Sequence, residues 1–264
     1  MFFTSDLLQD LYEKYDISHL VHGALEDKLG DVYEEFVVKI LKNDSYLYSY
    51  NNCETTNDFQ YAIFKDILDS FGFNSRSNII RINATKDIIF RDTKGNPKTD
   101  VLMTVQTNRE VFECPISVKS SSAPKVAFAE FDANTIVQEV GIDDPVIYSY
   151  LLKHQTDASA KNFTPEEKQD LTSRLQPYAH AFVKWVVTGC PSECMDIRIP
   201  KAIVKFDIDK STHLLINFSI YSADEYVDSI MLDRHGNIRS GGFGTGLGWT
   251  YATGSKGRKI QFKG

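Results

Sequence analysis

Apolar positions in the first seventy residues recur at the three- and four-residue spacing of amphipathic helices. DLLQDLYEKY follows Ser5, whose hydroxyl suits an N-cap, and KLGDVYEEFVVKILK predicts a second helix. NDFQYAIFKDILDSFG predicts a third, stopping near Gly72. The period then changes. NIIRINA and KDIIFRD read as strands, and residues 101–105 and 111–118 read as a hairpin joined by the polar stretch 106–110. After the polar turn SSSAPK, AFAEFDANTIVQEVG predicts a helix. FTPEEKQDLTSRLQPYAHAFVKWVV carries a helix start, with Thr164 as N-cap, Pro165 in the first turn and Glu167 closing a capping box. Pro177 should bend or break that segment. Strands return at AIVKFDI and HLLINFSI, and the final stretch is Gly-rich, basic and aromatic. The pattern predicts an α/β protein with a mixed central β-sheet flanked by helices. It is expected as one domain over 1–264, with a helical part at 1–75, a core at 76–220 and a loop-rich segment at 221–264.

Composition narrows the class. A chain of 264 residues with 42% hydrophobic side chains can bury an ordinary core. No apolar run nears the roughly 20 residues that span a bilayer. The acidic, helical start MFFTSDLLQDLYEKYD is neither a signal nor a transit peptide, so a cytoplasmic protein with no membrane association is expected. Four cysteines make no disulfide framework at this size. Cys190 and Cys194 stand as C-x3-C without a second pair, which favours incidental thiols over structural zinc. The histidines form no H-x-x-x-H pattern, His235 sits in a turn-like DRHGNI, and none is assigned catalysis. Net charge is −7 but polarised: residues 1–35 hold nine acids and two bases, while residues 234–264 hold six Lys or Arg and no acid. Such a chain can bind a polyanion at one end and repel it at the other.

The hairpin carries the candidate chemistry. In PKTDVLMTVQTNREVFECPISVK, a turn at 107–109 places Asp100 opposite Ser117 or Val118, and Ser117 shares a face with Lys119. A Pro-Asp followed by a strand ending in (D/E)-x-K marks metal-dependent nucleases. Carboxylates there hold Mg²⁺, the ion activates water, and the lysine stabilises developing charge. Asp100 and Lys119 fit; Ser117 lacks the expected acid. The motif alone leaves open an ordinary surface pair of Asp and Lys.

GFGTGLGWTYATGSKGRKIQFKG, together with PKTD, KSSSAPKV, HQTDASAKNFTPEEKQDL and KLGDVYEEF, resembles the MspI-type type II restriction endonucleases from about residue 20 onward. That family has a neutral Asn at the middle catalytic position, so the resemblance makes the missing acid a family trait, with Ser117 a further substitution. It implies a restriction-endonuclease-like core with Asp100 as Mg²⁺ ligand, Ser117 as weak ligand or water-positioning group, and Lys119 as catalytic lysine. Glu34 would make a water-mediated contact; a solvated helix carboxylate is the alternative. GGFGTGLG lacks the βαβ setting of a dinucleotide loop, and GSKGRK lacks a P-loop ending. The tail is instead expected as a DNA surface. Lys256, Arg258 and Lys259 would meet phosphates, Gln261 and Lys263 would read base edges, and Thr250 and Ser255 join them. Ser120, Ser121, Ser122 and Lys125 would bind DNA beside the metal. Implied with these are double-stranded DNA with the palindromic site CCGG, cut after its first cytosine to leave two-base 5′ overhangs, and a monomeric enzyme. A cognate cytosine methyltransferase would be the genetic partner. The rival is a DNA-binding protein that has lost cleavage; a small-molecule enzyme on the same hairpin is more remote.

Overall fold

The computed structural model describes residues 2–20, 22–89, 97–192, 196–252 and 254–264. Helices α1 (Asp6–Lys14), α2 (His22–Leu41), α3 (Asp44–Asn51) and α4 (Phe59–Ser70) precede strands β1 (Ile79–Thr85), β2 (Val101–Thr107), β3 (Val111–Ser121) and β4 (Ala127–Phe131). Helices α5 (Ala133–Val140), α6 (Pro145–Asp157), α7 (Pro165–Leu175) and α8 (Ala179–Thr188) follow, then β5 (Ala202–Ile208), β6 (Leu215–Ser222), α9 (Ala223–Met231), β7 (Gly248–Thr250) and β8 (Ile260–Lys263). The chain divides into two compact units: Met1–Pro124 with Met195–Ser222, and Lys125–Cys194 with Ala223–Gly264.

The first unit holds a five-stranded sheet in the order β1-β2-β3-β5-β6, antiparallel except where β3 runs parallel to β5. Central β3 is buried from Cys114 to Val118, as a strand covered on both faces must be. Leu29, Val32, Tyr33, Phe36, Val37 and Ile40 form one buried stripe of α2, which packs against β1, β2 and β3. The Tyr33 ring stacks on Phe206 of β5 at 4.5 Å. Ile63, Phe64, Ile67 and Leu68 do the same for α4, against β5 and β6. This packing fixes α2, and with it Glu34, relative to the β2–β3 hairpin.

The second unit is built on a three-stranded antiparallel sheet, β4-β8-β7. One face is apolar: Phe131 packs on Trp185 at 4.0 Å, and Phe262 meets Phe182 and Trp249, each at 5.2 Å. Thr164 and Glu167 cap α7 reciprocally, the Glu167 amide donating to Thr164 Oγ1 at 3.2 Å and the Thr164 amide to Glu167 Oε2 at 2.8 Å. Pro177 breaks the segment into α7, a 3₁₀ turn at Gln176–Tyr178, and α8.

The mixed α/β expectation holds, and several elements differ from the sequence reading. AFAEF is strand β4, because it pairs with β8; the helix begins only after Asp132, which caps it by accepting from the Thr135 amide. In KDIIFRD, residues 86–89 are not strand, since the Asp87 amide donates to Thr85 Oγ1 and turns the chain; residues 90–92 lie outside the described residues. Cys194 also lies outside them. Gly246, in the C-terminal stretch, serves internal packing: at φ +73 it lies where a Cβ would sit 2.0 Å from the Ile230 carbonyl oxygen. Among the described residues no helix is long and apolar enough to cross a membrane.

Candidate active site

The β2–β3 register places Val101 opposite Ile116, which sets Asp100 facing Ser117 at the open end of the hairpin. The turn closes with the Thr107 amide donating to the Glu110 carbonyl at 2.9 Å. The Asp100 amide is tied to the Ile116 carbonyl at 2.9 Å, and Thr99 Oγ1 donates to the Ile197 carbonyl at 2.6 Å. Thus anchored, Asp100 presents Oδ2 to three donors: Ser117 Oγ at 2.8 Å, the Val118 amide at 2.8 Å, and Lys119 Nζ at 3.0 Å. Ser117 is fully buried, while the Asp100 and Lys119 side chains keep 23% and 19% exposure. That leaves the pair reachable by a ligand yet poorly screened by water.

Glu34, on α2, joins this site electrostatically. Burial first, and then the charge of Asp100, push its carboxyl up to about 7. Lys86 Nζ, 3.6 Å from Glu34 Oε2 and 3.4 Å from Asp31 Oδ1, offsets part of that. Lys98 is pushed down to about 8 by burial and by the neighbouring Lys119. The sequence pattern singled out neither lysine. Lys98 stands inside PKTD, where the acid carries the motif, and Lys86 sits in a segment that reads as strand.

Among the described residues no three His, Cys, Asp or Glu side chains cluster as metal ligands. A Mg²⁺ site does not require that, because this ion takes one or two carboxylates and completes its shell with water and phosphate oxygens. Asp100 and Glu34, two partly buried carboxylates of like charge, fit such an ion.

The residues expected to touch DNA fall into separate groups. Ser120 and Ser121 end β3 opposite Phe206 and Asp207 of β5; Ser121 Oγ donates to the Ala123 carbonyl and accepts from the Ala123 amide, holding the turn that contains Ser122. In the second unit, Lys125 Nζ donates to the Gly246 carbonyl at 2.9 Å. Lys256, Arg258 and Lys259 are exposed on the β7–β8 connection, where Ser255 accepts the Arg258 and Lys259 amides on its carbonyl. Thr250, Gln261 and Lys263 lie on the three-stranded sheet. A cavity of about 960 Å³ lies beside them, lined by Lys125, Lys256, Thr250 and Trp249, and by Lys168 and Ser240, which the sequence did not single out. His154, at its wall, bonds Tyr251 and is pushed down to about 4 by burial.

The structure thus brings Asp100, Ser117 and Lys119 together at the end of the sheet, where the hairpin spacing predicts them. The profile described as "Restriction endonuclease MspI" matches residues 7–264, and the chain belongs to that family of type II restriction endonucleases. It is 36% identical to the type II restriction enzyme MspI of Moraxella sp over 271 aligned positions, covering 98% of this chain and 99% of that protein. It is 24% identical to the type II restriction enzyme BsuFI of Bacillus subtilis, covering 98% of this chain and 64% of that protein. The crystal structure of restriction endonuclease MspI with its cognate DNA superposes with a TM-score of 0.86 at 35% identity, over 98% of this chain and 99% of that one. The chain is accordingly a site-specific nuclease.

Proposed function

We propose that this protein hydrolyses double-stranded DNA at CCGG, after the first cytosine of each strand, in a Mg²⁺-dependent reaction. The observation that carries the reading is the convergence of Ser117, Val118 and Lys119 on one oxygen of Asp100. Asp100, with Glu34 beside it, would hold the ion, which when bound polarises the scissile phosphate and lowers the pKa of a water. Ser117 and the Val118 amide fix the rotation of the Asp100 carboxylate. Lys119 supplies fixed positive charge where the phosphate gains negative charge. The basic, sheet-borne surface of the second unit supplies phosphate and base contacts; the solved relative is a complex with its cognate DNA, which supports that use. The protein acts as a monomer in the cytoplasm, and a cognate cytosine methyltransferase protects host sites.

The rival, binding without cleavage, draws on Ser117, which contributes no charge to a metal. Plasmid digestion with Mg²⁺ separates the two, with the cut ends sequenced. Fragments ending at CCGG, absent when EDTA is present, are expected. DNA retarded in a gel but intact would establish the rival, and defined ends at another sequence would overturn the site.

A further inference from the structure

Glu130, on β4, ends a row of side chains that runs across the three-stranded sheet. It pairs with Gln261, which pairs in turn with Thr250. Gln261 Nε2 donates to Glu130 Oε1 at 3.2 Å, and Thr250 Oγ1 donates to Gln261 Oε1 at 3.1 Å. A carboxylate only accepts, so Gln261 must turn its nitrogen toward Glu130; its oxygen then faces Thr250, whose hydroxyl has to donate. Glu130 alone therefore sets the donor and acceptor order of the row. Lys263 shares the face, two residues from Gln261 on β8, while Ile260 and Phe262 are fully buried on the other side.

Electrostatics makes the acid conspicuous. Residues 234–264 carry six Lys or Arg and no acid. A carboxylate bonded into that surface repels phosphate and weakens general attraction to a polyanion. What it offers in return is an acceptor at a base edge. In the major groove Glu accepts from the N4 amino group of cytosine, while Lys donates to guanine O6 and N7. A small antiparallel sheet is also a shape the major groove admits.

We infer that Glu130 is a specificity-determining residue: it accepts a hydrogen bond from a cytosine N4 amino group and orients the Gln261 amide for the neighbouring base. This rests on the reading that this sheet face meets DNA. Its two functions share one carboxylate, Oε1 engaging Gln261 and Oε2 turned to the base.

The test is digestion of a randomised duplex pool with Mg²⁺ by the full chain and by the isosteric variant Glu130→Gln, with all cut ends sequenced. The wild type should yield one defined site. The variant should become degenerate at one C·G pair, losing about ten- to a hundredfold discrimination there and keeping the other positions. Fluorescence anisotropy with Ca²⁺ in place of Mg²⁺ covers a variant that does not cut. Duplexes in which each cytosine in turn is replaced by an analogue lacking the N4 amino group should weaken wild-type binding at one position, and Glu130→Gln should be insensitive there. A variant with wild-type discrimination, or one equally weakened at every position with no such coupling, overturns the assignment. A defined wild-type site other than CCGG overturns the proposed sequence and leaves Glu130 standing; no defined site overturns both.

Discussion

At the residue scale the catalytic assignment rests on Oδ2 of Asp100. Asp100→Ala and Lys119→Ala should each slow single-turnover cleavage by at least about a hundredfold while leaving duplex binding nearly intact. Near-normal rates in either would remove the site from this hairpin. Ser117→Ala takes away one of three donors and opens a small void at a fully buried position. A slowing of about ten- to a hundredfold is expected, with a weaker Mg²⁺ midpoint, because an outer partner that orients a ligand has effects of that size. A Ser117→Ala titration superimposable on wild type would make the hydroxyl mere packing. His154 gives a pH prediction. Burial lowers its folded pKa from 6.5 to about 4, so the fold binds fewer protons there than the unfolded chain does. The stability from its neutral form is complete above about pH 6.5 and is lost as pH falls toward 4, amounting to at most about 3 kcal/mol. Urea midpoints measured across that window should fall on acidification, and an NMR titration placing the His154 ring above pH 6 would contradict it.

At the scale of elements, Gly246→Ala should destabilise the protein by at least about 2 kcal/mol in urea melts, since both the positive φ and the Ile230 carbonyl oppose a Cβ. A wild-type midpoint would show that the turn can relax. Elements with local signals were legible in the sequence. The α7 cap needs only Thr164 and Glu167, and the β2–β3 hairpin needs only a polar turn between β-branched runs, so Asp100, Ser117 and Lys119 could be brought together from spacing alone. β4 was not legible, because AFAEF takes its strand conformation from Gln261 and its neighbours, about 130 residues away in sequence. Lys86 and Lys98 escaped for a similar reason: what singles them out is burial and the charges of Glu34 and Lys119, which exist only after folding.

At the scale of the whole molecule, charge predicts salt dependence. Lys256→Ala, Arg258→Ala and Lys259→Ala combined should weaken DNA binding and reduce the slope of log affinity against log salt by about 3, one for each phosphate no longer neutralised. An unchanged slope would place the phosphate-binding cations elsewhere. Deleting residues 256–264 is no substitute for this triple variant, because it removes β8, the middle strand of its sheet, along with buried Ile260 and Phe262. The position of β8 also sets an order of events during synthesis. Every strand around Asp100 has been made by Ser222, whereas β4 and β7 lack their shared partner until residue 263 is added. The sheet that carries the proposed cutting residues is thus synthesised about forty residues before the strand that closes the proposed reading surface.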